Sequence, residues 1–132
     1  MVRSIVGVLT GIVMAGAVIA FGEATSHLLM GRLPGVSPEP IGATMASMSL
    51  VSLVAVLVAW AIGTFIGAGV AALVARHGRV LCALLVGCTV MAAAMLNMLT
   101  LPHAAWFWAA ALLIVVPTAW LAGRLVSPSP VR

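Results

Sequence analysis

VLCALLVGCTVMAAAMLNMLTLPHAAWFWAAALLIVVPTAWLAG, residues 80–123, contains no Lys, Arg, Asp or Glu. A helix needs about 20 apolar residues to cross a bilayer core. This run therefore holds two crossings. It breaks at Leu101-Pro102-His103-Ala104, because a helix tends to end at the residue before a proline. Two more uncharged stretches lie upstream, residues 4–22 and 41–75. The first holds one crossing and the second one long crossing. The sequence thus predicts an all-α membrane protein, an antiparallel bundle of four transmembrane helices. The spans are expected at about 4–30, 46–75, 80–101 and 104–124, in a single domain over residues 1–132.

Composition supports this reading. The chain is 64% hydrophobic and 6% charged, whereas soluble domains carry about 25% charged residues. Four spans leave two ends, two tight turns and one loop near residues 31–43, with no room for a soluble catalytic domain. The net charge of +4 is no nucleic-acid signature, because the arginines are scattered at span ends and form no patch on one face.

The arginines act better as topology determinants. Arg3, Arg76, Arg79, Arg124 and Arg132 fall on one side of a four-span chain, and only Arg32 falls on the other, together with Glu23 and Glu39. Cytoplasmic segments of membrane proteins carry the excess of Lys and Arg. Both termini are therefore expected in the cytoplasm, and residues 31–43 outside. Met1-Val2-Arg3 followed by an apolar run is also compatible with a cleaved signal peptide. The run is long for that, and Ala17-Val18-Ile19-Ala20 is only a fair cleavage site.

Cys82 and Cys88 are six apart, so they point about 120° apart on one helix. They cannot bridge each other and are expected to pack as small apolar residues. Gly31 and Pro34 stop the first span, and the loop that follows is rich in turn residues. Trp106 and Trp108 mark one edge of the fourth span and Trp120 the other, since indoles favour membrane interfaces. Trp60 lies deeper and is expected to be a packing residue.

Small residues recur every fourth position in the second span: Ala55, Ala59, Gly63, Gly67, Ala71 and Ala75. The first span has Gly7, Gly11 and Ala15. Lipid supplies no hydrophobic force between helices, so close backbone approach must supply the attraction. These small-xxx-small ridges are expected to bring spans one and two together tightly. A homo-oligomer contact through the same ridges is the alternative.

One constellation carries chemistry. At a helical rise of about 1.5 Å per residue, Glu23 lies about 30 Å from Arg3, and Asn97 about 27 Å from Arg79. On the same measure, His27 and His103 both come out near 36 Å. Ser47, Ser49 and Ser52 belong to the same layer. Glu23 and His27 share a helical face. Glu23, His27 and His103 are thus candidates for a three-ligand metal site with an open position, for axial haem ligation by the two histidines, or for a proton-responsive switch. Met30, Met45, Met48, Met91, Met95 and Met98 add soft thioethers that suit Cu(I), or simply fill core gaps. Asn97 lies inside a span, where its amide needs a partner. A hydrogen bond to Glu23 or to backbone is the plain expectation. No cofactor is required by any of this, and metal or haem stays an alternative.

The acid and histidine at the end of span one, Asn97-Met98-Leu99 leading into Pro102-His103, and Trp106-Phe107-Trp108 together resemble a family of small four-span bacterial inner-membrane proteins. The resemblance implies a bacterial inner (plasma) membrane, draws interest to Glu23, His27, Asn97 and His103, and implies no particular activity.

Three functions are compatible with this sequence. The first is a non-enzymatic scaffold or regulatory subunit with an outward-facing polar cluster, bound to the lipid bilayer and to a partner membrane protein or a second copy. The second is a small oligomeric transporter or channel for protons, metal ions or small solutes. Transporters commonly bind at the midplane between broken helices, whereas here the midplane is uncharged and Pro117 is the only proline well inside a span. The third is an intramembrane enzyme, for which only Glu23, His27 and His103 offer chemistry, without a paired nucleophile. A sealed apolar half would favour the first over the second.

Overall fold

The computed structural model describes residues 2–29, 49–75, 77–100 and 105–127, with side chains in the first segment described for 2–25. It is an all-α four-helix bundle. The helices are α1 (Val2–Leu29), α2 (Leu50–Val74), α3 (Arg79–Thr100) and α4 (Ala105–Val126). All four are long and apolar enough to cross a membrane.

Local chemistry sets the ends. Ser49 is the N-cap of α2: its side chain accepts from the Ser52 N–H at 3.2 Å, satisfying one donor that a helix start leaves orphaned. Residues 46–48, expected inside this span, lie outside the described residues. At the other end of α2, the Ala75 N–H bonds to the Ala71 carbonyl at 3.0 Å. The chain then reverses through Gly78, whose φ of +62° is a backbone conformation that glycine adopts without steric cost. The Cys82 N–H on the Gly78 carbonyl at 2.9 Å starts α3. Arg79 secures this corner. Its Nη1 donates to the Val126 carbonyl at 2.9 Å and its Nε to the Ala75 carbonyl at 3.3 Å. The arginine thus joins the end of α2 to the end of α4.

Each helix packs most closely on its sequence neighbour. Along α1 and α2 the small residues meet in antiparallel order. A Cβ on Gly7 would lie 2.9 Å from the Ala71 carbonyl oxygen, and one on Gly11 would lie 2.5 Å from the Gly67 carbonyl oxygen. Ala15 faces Gly63 and Gly67, and Gly22 faces Ala59. Backbones this close gain the van der Waals contact and weak Cα–H···O bonding on which helix association in lipid depends. A second seam joins α3 to α4, where Gly87 lies against Ala119 and Gly123 against Ala83.

The two pairs form a rhombus. α2 and α3 touch each other and both remaining helices, whereas α1 and α4 make no contact among the described residues. α1 lies firmly on α2 and only lightly on α3. The centre is filled by Ala68, Ala71, Ala72, Ala83, Val86, Val115, Ala119 and Ala122. Among the described residues, Ser52 and Thr64 are the buried polar ones. Pro117 sits within α4, which continues through it. Trp106 and Trp120 are 42% and 45% exposed towards opposite ends of α4, about 21 Å apart by helical rise. Trp120 also lies under the Arg124 guanidinium, 5.1 Å from the ring centroid.

The cysteines divide. Cys82 is buried and Cys88 is exposed, so only Cys82 is the packing residue expected of both.

Candidate functional site

The chemistry of the described residues gathers at the end of the bundle opposite Arg3, Arg79 and Arg124. Glu23, near the end of α1, is the single acid described there. The Trp60 indole Nε1–H of α2 donates to its Oε1 at 2.9 Å. Trp60 is 4% exposed. A buried indole N–H in apolar surroundings needs an acceptor, and Glu23 supplies it. The ring is also held by Phe107 of α4, edge-on at 5.7 Å between centroids. Phe107 is fully enclosed and meets Trp106 edge-on at 5.8 Å. Thus α4 positions Phe107, Phe107 positions Trp60, and Trp60 holds the carboxylate.

Trp60 is the functional residue that the sequence reading missed. Counted from the basic end, Trp60 comes out about 22 Å along α2 and Glu23 about 30 Å along α1. Helical rise alone therefore puts the two in different layers. Side-chain reach closes that gap. The signal available was chemical: a deep indole needs an acceptor, and few acids exist in the chain.

Glu23 and Trp60 line a cleft of about 250 Å³ between α1 and α3. Ile12, Gly16 and Ile19 form one wall, and Thr89, Val90, Ala93, Ala94 and Asn97 the other. Asn97 shares the cleft with Glu23, yet its side chain is exposed and has no hydrogen bond to another described residue. The expected bond from Asn97 to Glu23 is replaced by the indole. Asn97 faces out of the bundle because Ala94 and Met98 occupy the buried side of α3.

The candidate metal and haem ligands fall largely outside this description. His103 and the side chain of His27 are not among the described residues, nor are Met30, Met45, Met48 and Ser47. Among the described residues no group of three His, Cys, Asp or Glu comes together. Met91 and Met98 are buried in the core and Met95 is exposed, so these three thioethers do not converge. Ser49 and Ser52 bond to each other, Oγ to Oγ at 2.9 Å.

A second cleft, of about 320 Å³, lies lower on the same α1/α3 side, lined mainly by Ile5, Val8, Leu9, Leu81 and Leu85, with Ser4 and His77 at its basic end. Gly11 and Val86 close the space between the two clefts, since a Cβ on Gly11 would lie 3.0 Å from Val86 Cγ2. Comparison with protein-family models, curated proteins and solved structures finds no match to this chain.

Proposed function

We propose that this chain is a non-enzymatic subunit of a bacterial inner membrane, with both termini in the cytoplasm, that stabilises or regulates another membrane protein. One observation carries the reading. The basic half of the bundle is closed by alanine, valine and glycine at contact distance, with Ala71, Ala72, Ala83, Val86, Ala119 and Ala122 at most 1% exposed. Such a core offers no polar path for an ion or solute. The acid that is described faces sideways between two helices. A laterally presented polar group suits recognition of another intramembrane surface, where interhelical hydrogen bonds add about 0.6–2 kcal/mol each.

Affinity purification from native membranes after brief crosslinking tests this. One integral membrane protein is expected in stoichiometric amount with the chain. Recovery of the chain alone would overturn the reading. Solute-specific uptake by proteoliposomes of the pure protein would favour the oligomeric transporter instead, whose support is the Glu23 cleft.

The orientation rests on Arg3, Arg79 and Arg124 sharing one end, in keeping with the positive-inside bias. Reporter fusions at Val36 and at the C-terminus should read periplasmic and cytoplasmic respectively. A cytoplasmic signal at Val36 would reverse the assignment.

A further inference from the structure

We propose that the α1/α3 cleft is a binding site for a lipophilic monocation, such as a quaternary ammonium or phosphonium, with Glu23 as its counter-ion.

The charge is specified first. Glu23 is partly buried, and among the described residues its partner is a neutral indole. The described arginines, Arg3, Arg79 and Arg124, stand at the far end of the bundle. A carboxylate taken partly out of water gains from an opposite charge, and ionisable groups at membrane depth are functional candidates by default. Trp60 adds a second attraction. Trp60 also lines this cleft, and an aromatic ring close to a bound cation attracts it through its quadrupole.

The apolar body is specified by the walls. Ile12, Ile19, Val90, Ala93 and Ala94 extend from Glu23 back towards the middle of the bundle. From Glu23 to Ile12 the wall runs about 16 Å by helical rise. It accepts a hydrophobic group lying below a charged one, which is how an amphiphilic cation lies in a membrane. The cleft is close to the lower end of ligand-pocket volumes, about 300 Å³, and is open on its lipid side, so a bulky cation is held in part, with the remainder in lipid. Entry is sideways from lipid, because α1 rests on α2 and only lightly on α3. Gly16 makes the opening. It is exposed, and a Cβ built on it meets nothing within 4 Å. A glycine with free space around it contributes room to the cleft and nothing to the helix seams.

The test uses the purified full chain in a mild maltoside detergent and radiolabelled tetraphenylphosphonium in equilibrium dialysis. Tetraphenylborate, of the same shape and opposite charge, is the competitor. Saturable binding of tetraphenylphosphonium is expected, with tetraphenylborate failing to compete. Glu23→Gln keeps an oxygen for the Trp60 indole but removes the charge, and is expected to weaken binding by about tenfold or more, as charge complementarity in a low-dielectric cleft requires. Gly16→Phe fills the cleft and should abolish binding while the elution volume and melting midpoint stay those of the wild type. Absence of saturable binding, full affinity in Glu23→Gln, or equal affinity for the borate would each overturn the proposal.

Discussion

Gly67→Leu is expected to lower the stability of the bundle by about 3 kcal/mol or to prevent its folding, the upper range for overpacking. A Cβ at this position would come within 2.6 Å of Ala15 Cβ and 3.0 Å of the Ala15 nitrogen, and closer still to the Gly11 carbonyl oxygen. Backbone atoms cannot rotate aside. The only relief is to part α1 from α2, and that removes the contacts by which two helices associate in lipid. Gly69→Leu is the matched control, because a Cβ there meets nothing within 4 Å. Reversible unfolding in mixed detergent, together with the yield of monodisperse protein, measures both. Equal behaviour of the two variants would remove the tight seam from the account.

Trp60→Ala is expected to cost about 3 kcal/mol, the lower range for truncating a buried aromatic. It removes the donor to Glu23, the edge contact with Phe107 and a large buried side chain. Trp60→Phe separates much of the packing from the hydrogen bond. It keeps a ring against Phe107 but removes the N–H and three ring atoms, and should cost about 1–2 kcal/mol, an intramembrane hydrogen bond plus a small cavity. Near-ultraviolet circular dichroism during unfolding distinguishes them. If the alanine and phenylalanine variants lost the same amount, the hydrogen bond would account for the whole effect and the packing would count for nothing.

The architecture was legible because two simple signals carried it. Long uncharged runs fix the number of spans, since charge is expensive in hydrocarbon. Small residues every fourth position on α2, with partners on Gly7, Gly11 and Ala15, mark the face along which two backbones come close. Periodicity of this kind survives projection onto a single helix. The candidate site did not project so well. Its central bond joins Glu23 to Trp60, 37 positions apart, and depends on how far a long indole reaches across a helix crossing. A ruler of helical rise treats residues as points on parallel rods and so misjudged the level of Trp60. The orientation of Asn97 was hidden for a related reason. Which side of α3 is buried depends on where α1 stands off from it, and α1 stands off because Gly7, Gly11 and Gly22 are taken up by α2. Glu23 itself was legible as the one acid near a span, and the cleft beside it was not, since nothing in the sequence shows that Gly16, one position out of register with the small-residue ridge, faces open space.

The neighbour-to-neighbour seams have a consequence for how the protein is made. Every residue of the α1–α2 seam lies between positions 7 and 75, so all its parts exist once the second span has been synthesised. That pair can close in the bilayer while α3 is still emerging from the ribosome, and α3 with α4 can then close in turn through Gly87 and Gly123. Arg79 belongs to a different stage. Its guanidinium reaches from the turn between the pairs to the carbonyl of Val126, an acceptor at the end of α4. The first hairpin can therefore close before the second, and the Arg79 bond joins the two, beside the packing of α2 on α3 and α4, only after both are in place.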